Sequence, residues 1–170
     1  MQVVLKLEEL SKVQEKLKDL EINLSNKKLL LGEIGNYLNN NAKDSFEKEQ
    51  DWNGNPWSPL SSATYLFKQK KGKPDKKLFY DGDLQDKLIT QTTSSTVSIG
   101  TNAATQSGFL YSSVMQFGSK NAGRNRKTTI KARSFLPINL DGSLYQGVEN
   151  EIVEIVVDFI ESAIEKVDLK

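Results

Sequence analysis

The sequence predicts an α+β protein: a small antiparallel sheet, made of a hairpin plus a third strand, packed with amphipathic helices at its N-terminal and C-terminal ends. Three observations carry this expectation. Apolar residues recur at spacings of three and four near both ends of the chain. A central stretch alternates Thr, Val and Ile with polar residues at period two. The strand signals form one block, with helical patterns before and after it, which is the layout of segregated α+β architecture. The 170 residues fit one domain spanning 1–170, with residues 1–25 as a candidate appended arm.

Each element follows from its own residues. Val3, Leu7, Leu10, Val13, Leu17, Leu20 and Leu24 make one helical stripe, opposed by Glu and Lys. The stripe suits packing on its own domain, with a neighbouring subunit as the alternative. Ser25 or Asn26 caps a second helix. Its apolar face is Leu30, Ile34, Tyr37, Leu38, Ala42 and Phe46, and Gly32 and Gly35 lower its propensity slightly. The helix ends before "DWNGNPW", where Gly54 and Pro56 are breakers. Ser58 is then placed to cap a short helix, with Pro59 at its first position. Trp52 and Trp57 are expected to close one end of a core, a binding platform being the alternative. "KKGKPDKK" reads as a solvated basic loop.

In "LFYDGDLQDKL", the turn at Gly82 is expected to cap a short helix. Asp81, Asp83 and Asp86 lack the later ligands and terminal Glu of a calcium loop. "KLITQTTSSTVSIGTN" makes the hairpin, turning at Ser94 and Ser95, with Val97 and Ile99 on one face and Thr96 and Ser98 on the other. Tyr111, Val114 and Phe117 bring apolar groups back, and Gly118 closes that segment. Residues 119–129 hold Lys120, Arg124, Arg126 and Lys127 and no apolar residue but Ala122, so a loop mobile in the free subunit is expected. "TTIKARSFLPI" is the third strand, with Arg133 and Phe135 on one face and Phe135 in the core. Leu144, Val148, Ile152, Ile155, Phe159, Ile160, Ala163 and Val167 form the C-terminal helix, which is expected to pack with the first helix or on the sheet.

Composition removes several chemistries. The chain has no cysteine and no histidine. Disulfides, thiolate zinc sites, a cysteine nucleophile and a serine triad of the usual kind are thereby excluded. Carboxylates, lysine and tyrosine remain as catalytic groups. Twenty-three basic and 22 acidic side chains give a net charge of +1, too balanced for a dedicated coater of nucleic acid. The first eight residues are already charged, so no signal peptide is expected. No apolar run reaches the roughly 20 residues that span a bilayer.

Five short motifs occur in order. "NGNPWSPLSSAT" is similar to G-x-x-W-x-P-L-S-x-x-T, and "LFYDGDL" resembles L-x-D-T-G-x-L. "VSIGTN" matches V-x-I-G-T, "YSSVMQFG" resembles Y-A-x-x-H-Q-F-G, and "KARSFL" resembles P-A-R-P-F-L. The set resembles the virion-morphogenesis, or tail-completion, proteins of Mu-type tailed phages and prophages, over residues 34–160. The motif positions here are Trp57, Pro59, Gly82, Leu84, Gly100, Tyr111, Gln116, Phe117, Gly118, Arg133, Phe135 and Leu136. The chain departs from the pattern at Met115, where the family has a histidine, and at Lys131 and Ser134, where it has prolines. Asp81 and Gly82 are adjacent, without the intervening threonine.

The resemblance implies a structural protein of the phage tail end or head–tail junction, working as a ring of subunits. It implies no catalytic residue, and the absence of His and Cys together with the scattered acids predicts no metal or cofactor. The expected partners are the tail tube, neck proteins and further copies of the chain, in a virion assembled in the host cytoplasm, with no membrane. The basic loop with Lys120, Arg124, Arg126 and Lys127 is the expected interface. The alternative is a nucleic-acid-binding module using that loop, whose charge suits phosphates but which lacks aromatics for base stacking. A carboxylate enzyme built on Asp81 and Asp83 is the third reading.

Overall fold

The structure, a computed structural model, describes residues 15–16, 18–22, 24–123 and 125–168. The described residues between 15 and 25 are helical. Val3, Leu7, Leu10, Val13 and Leu17, most of the N-terminal stripe, lie outside the described residues, as does the expected packing of that stripe.

The central helix α1, Lys27–Lys48, buries Ile34, Leu38, Ala42 and Phe46, the face that its periodicity marks. Asn26 is its N-cap, but the Asn26 side chain makes no cap hydrogen bond. At the other end Glu49 adopts a left-handed conformation, φ 53°, and turns the chain out of the helix. Strands β1, Leu88–Thr92, and β2, Val97–Thr101, form an antiparallel hairpin that pairs Thr92 with Val97 and Leu88 with Thr101. No glycine is needed at its turn. Thr93 Oγ1 accepts from the Ser95 and Thr96 amides at 3.2 and 3.0 Å and holds the loop closed. Val97 and Ile99 are half-buried and Ser98 is exposed, as the alternation requires.

α1 packs against both strands, and a glycine makes that possible. A Cβ on Gly35 would stand 3.0 Å from Thr90 Cγ2 and 3.2 Å from Val97 Cγ2, so the bare backbone lets helix and hairpin approach. Helix α5, Val148–Asp168, covers another part of α1. Ile34, Leu38 and Val148 are the buried centre of this contact, with Leu30, Tyr37, Ile152 and Ile155 around them.

Short elements fill the rest: α2, Ser62–Lys70; α3, Asp83–Asp86; α4, Ser112–Phe117; β3, Ser119–Ala122; and β4, Thr128–Ile130. Several of them correct the sequence expectations. α2 is capped by Ser61, whose hydroxyl accepts from the Thr64 amide, and not by Ser58 with Pro59. The carbonyls of Ser58 and Pro59 instead face Arg133. The sheet is not three-stranded. β4 pairs with β3 in a second two-stranded sheet, and the hairpin of β1 and β2 stands apart from it. Residues 119–129, expected as a mobile loop, are therefore mostly the two arms of this second hairpin. Arg133 and Phe135 lie beyond β4 in extended chain outside any strand. Leu144 precedes the C-terminal helix, in an isolated bridge with Ile138. Gly82, φ 93°, caps α3 as expected.

Candidate functional site

The motif residues meet at a junction between two chain segments, 115–118 and 130–138. Gln116 is the centre of it. Its side chain is buried, with 2% exposure, and all four of its hydrogen-bonding positions are used. Oε1 accepts from the backbone amides of Phe135 and Leu136, both at 2.9 Å. Nε2 donates to the carbonyls of Leu136 and Ile138, both at 3.0 Å. One amide side chain thus takes the place of a strand partner for Phe135 and Leu136 and adds a bond to Ile138. The Arg133 amide adds a bond to the Met115 carbonyl at 2.8 Å, and Ser134 Oγ donates to the Gln116 carbonyl at 2.9 Å.

Gly118 lets these segments touch. It sits at φ 76°, and a Cβ there would lie 2.8 Å from the Ile130 carbonyl oxygen and 2.9 Å from the Ala132 nitrogen. Both the conformation and the space require glycine. Phe117 beside it is half-buried.

Three further side chains tie the junction to the rest of the fold. Trp52 Nε1 donates to the Phe135 carbonyl at 2.9 Å, and Trp57 Nε1 to the Ser134 carbonyl at 3.0 Å. Arg133 reaches the other way: Nε donates to the Ser58 carbonyl and Nη2 to the Pro59 carbonyl, both at 2.9 Å. Burial pushes the Arg133 guanidinium down from its ordinary value, and the charge of Glu49 acts against that shift. Pro59 itself is exposed, so only its carbonyl serves the site. The tryptophans are core and clamp residues here. Trp57 meets Phe46 edge to face at 5.6 Å, and Phe46 lies 5.1 Å from Phe135. Leu84 and Ala103 complete this buried cluster, with Tyr111, Met115 and Leu136 packed around it. Of the motif residues, Gly82 and Gly100 stand apart from the junction: Gly82 starts α3, and Gly100 pairs with Ile89 in the first hairpin.

The basic residues expected at an interface are arranged differently. Lys120, Arg126 and Lys127 are exposed on the hairpin of β3 and β4, and Arg126 N donates to the Gly123 carbonyl across its tip. Arg124 lies outside the described residues. Asp81 is bound by Lys73, and Asp83 by Lys87 at 3.0 Å. Among the described residues no group of three or more carboxylates stands together to hold a metal ion.

The profile of the phage virion morphogenesis family matches residues 8–165. The chain belongs to that family. No curated protein and no solved structure matches it. In this member of the phage virion morphogenesis family, three of the five motifs, those of Trp57, Gln116 and Arg133, are parts of one clamp. No described helix is long and apolar enough to cross a membrane.

Two polar groups, Lys68, which is buried, and Glu49, which is half-buried, escape sequence reasoning. Lys68 is 5% exposed, and its ammonium donates to the carbonyls of Lys76 and Phe79 at 2.5 and 2.7 Å. Burial pushes its pKa down, while the charges of Asp75 and Glu49 act the other way. The Glu49 carboxylate accepts from both the amide and the ammonium of Lys77. Burial pushes Glu49 up, but the hydrogen bonds and charge of Lys77, helped by Lys76, outweigh it and hold the group below its ordinary value. Together Lys68 and Glu49 pin the loop after α2. Nothing distinguishes Lys68 from its neighbours in "KQKKGKPDKK".

Proposed function

We propose that this phage morphogenesis protein is a structural subunit acting in tail completion or head–tail joining, assembled into a ring, and not an enzyme. The observation that carries this reading is how the motif residues are used. Trp57, Gln116, Gly118, Arg133 and Phe135 spend their polar groups, space and apolar surface on an internal clamp. Side chains committed to internal bonds in this way suit a structural role better than a catalytic one. Function then falls to the outer surfaces that the clamp holds in place. The basic hairpin of β3 and β4 is the surface proposed to meet the tail tube or a neck protein, its charge suited to an acidic partner. The protein would be made in the host cytoplasm and end in the virion.

Deleting the gene from an inducible phage and imaging the lysate tests this. The expected result is filled heads together with unjoined or misterminated tails. Normal virions in full yield would overturn the reading. Replacing Arg124, Arg126 and Lys127 with Ser should leave melting unchanged and impair head–tail joining. Exposure of Lys120, Arg126 and Lys127 also favours a second reading, binding to nucleic acid. A mobility shift that weakens steeply with salt, and is lost in the same variant, would select it.

A further inference from the structure

We propose that the outward face of α5 docks α2 and the loop after it on a second copy of this chain, in a head-to-tail contact. This rests on the self-assembling role proposed above and names the surfaces that perform it. α5 is apolar on two sides. Val148, Ala163 and Val167 are buried, and Ile152 and Ile155 pack on α1. Val153, Val157, Ile160 and Ile164 form a second stripe at spacings of four, three and four. Each of these four is between 39% and 58% exposed. Such spacing is the seam by which one helix packs on another. Glu154, Asp158, Glu161 and Glu165 flank the seam, and Lys166 is the single basic residue of the helix.

The acids decide what the seam accepts. Pairing with the same seam of another copy would set carboxylates against carboxylates, which opposes association. The occupant is therefore apolar and basic. Among the described residues, α2 and its following loop have that chemistry. Tyr65, Leu66 and Phe67 are 42% to 58% exposed, and Phe67 stacks on Tyr80 at 6.2 Å. Of the six lysines in residues 68–77, Lys68 is buried, Lys73 is bound to Asp81 and Lys77 to Glu49, while Lys70 and Lys71 are exposed and make the basic face of the patch. A groove of about 570 Å³ runs beside Tyr65 and Leu66, with Pro59 and Leu60 in its wall, where an aliphatic side chain can seat. The hairpin of β3 and β4 matches the acids in charge, but it exposes no large apolar residue to meet the seam.

Both patches are exposed in the same subunit, so neither covers the other. The contact is between copies. Because its two surfaces differ, each added copy leaves one of each kind free, until a ring closes.

The test is the solution mass of the full chain, by sedimentation across a concentration series. Variants Glu154→Lys with Glu161→Lys, and Lys70→Glu with Lys71→Glu, each reverse one face; circular dichroism melting confirms that they fold. The wild type should associate. Each double variant alone should raise the dissociation constant roughly 100-fold, because like charges now meet. An equal mixture of the two variants should associate again, since each reversed face then finds its complement in an alternating assembly. Val157→Asp should dissociate the assembly with no rescue by either charge variant. Association that survives both reversals, or a mixture that stays dissociated, would overturn this contact and leave self-assembly standing. The contact is equally overturned if deleting residues 1–14 dissociates the assembly while the α2 reversal does not, which makes the N-terminal stripe the occupant. A wild type that is monomeric at every concentration would overturn the self-assembling role itself.

Discussion

Replacing Gln116 with Leu is expected to lower stability by about 3 kcal/mol, although leucine is more apolar and the site is buried. The change removes both acceptor bonds and both donor bonds of the clamp. The Phe135 amide is fully buried and gains no water in exchange. Leaving one such group unpaired costs about 1–3 kcal/mol. The Leu136 amide and the carbonyls of Leu136 and Ile138 are half-buried and recover part of their loss by relaxing toward solvent. One full penalty and a partial one give the figure. In a chain of this length each 1 kcal/mol moves the melting midpoint by about 2–4 °C, so a fall of roughly 6–12 °C is expected. Calorimetry of wild type and variant measures it. Gln116→Glu gives a sharper version of the test. Its carboxylate can still accept from the Phe135 and Leu136 amides, but it sets an anion against two carbonyls. Those carbonyls favour the protonated form, so the folded pKa is raised above the unfolded one. The native state then binds the proton more tightly, and the variant gains stability as pH falls through the window between the two pKa values. A Gln116→Leu variant melting within about 2 °C of wild type, or a Gln116→Glu deficit that does not shrink in acid, would refute the clamp as described.

Other substitutions probe the same junction. Phe135→Ala should cost about 3–5 kcal/mol in denaturant unfolding, because its ring is fully buried between Phe46 and the tryptophan side of the core. Gly118→Ala should cost more than about 1 kcal/mol, from its φ of 76° and the 2.8 Å approach to the Ile130 carbonyl together; a neutral result would show that the segments separate without loss. The Glu49 carboxyl, held low by Lys77, contributes stability that is present above its unfolded pKa and lost as pH falls through the lower folded one. Melting should therefore fall more steeply below about pH 4.5 in the wild type than in Glu49→Gln, and parallel curves would remove that pair from the acid response.

The two long helices, Lys27–Lys48 and Val148–Asp168, and the first hairpin were legible in the sequence because each writes its own period. The stripe of Ile34, Leu38, Ala42 and Phe46 repeats every four residues, and Val97 and Ile99 alternate with Ser98, wherever the rest of the chain lies. Phe135 was legible as a core residue for the same local reason, and the order of the five motifs carried the family. What the sequence could not say is which distant groups meet. The strand signal in "TTIKARSFL" ends at Ile130 because Arg133 and Phe135 find their partners elsewhere, in the Ser58 and Pro59 carbonyls and the Phe46 ring. The polar residues 119–129 form a hairpin because β4 pairs with its sequence neighbour β3 and not with β1 or β2. The burial of Gln116 and Lys68 carries no local signal, since a polar side chain is buried only when several backbone groups converge on it. That convergence is a property of tertiary structure: the four bonds of Gln116 join it to residues 19 to 22 positions away, and no local pattern encodes them.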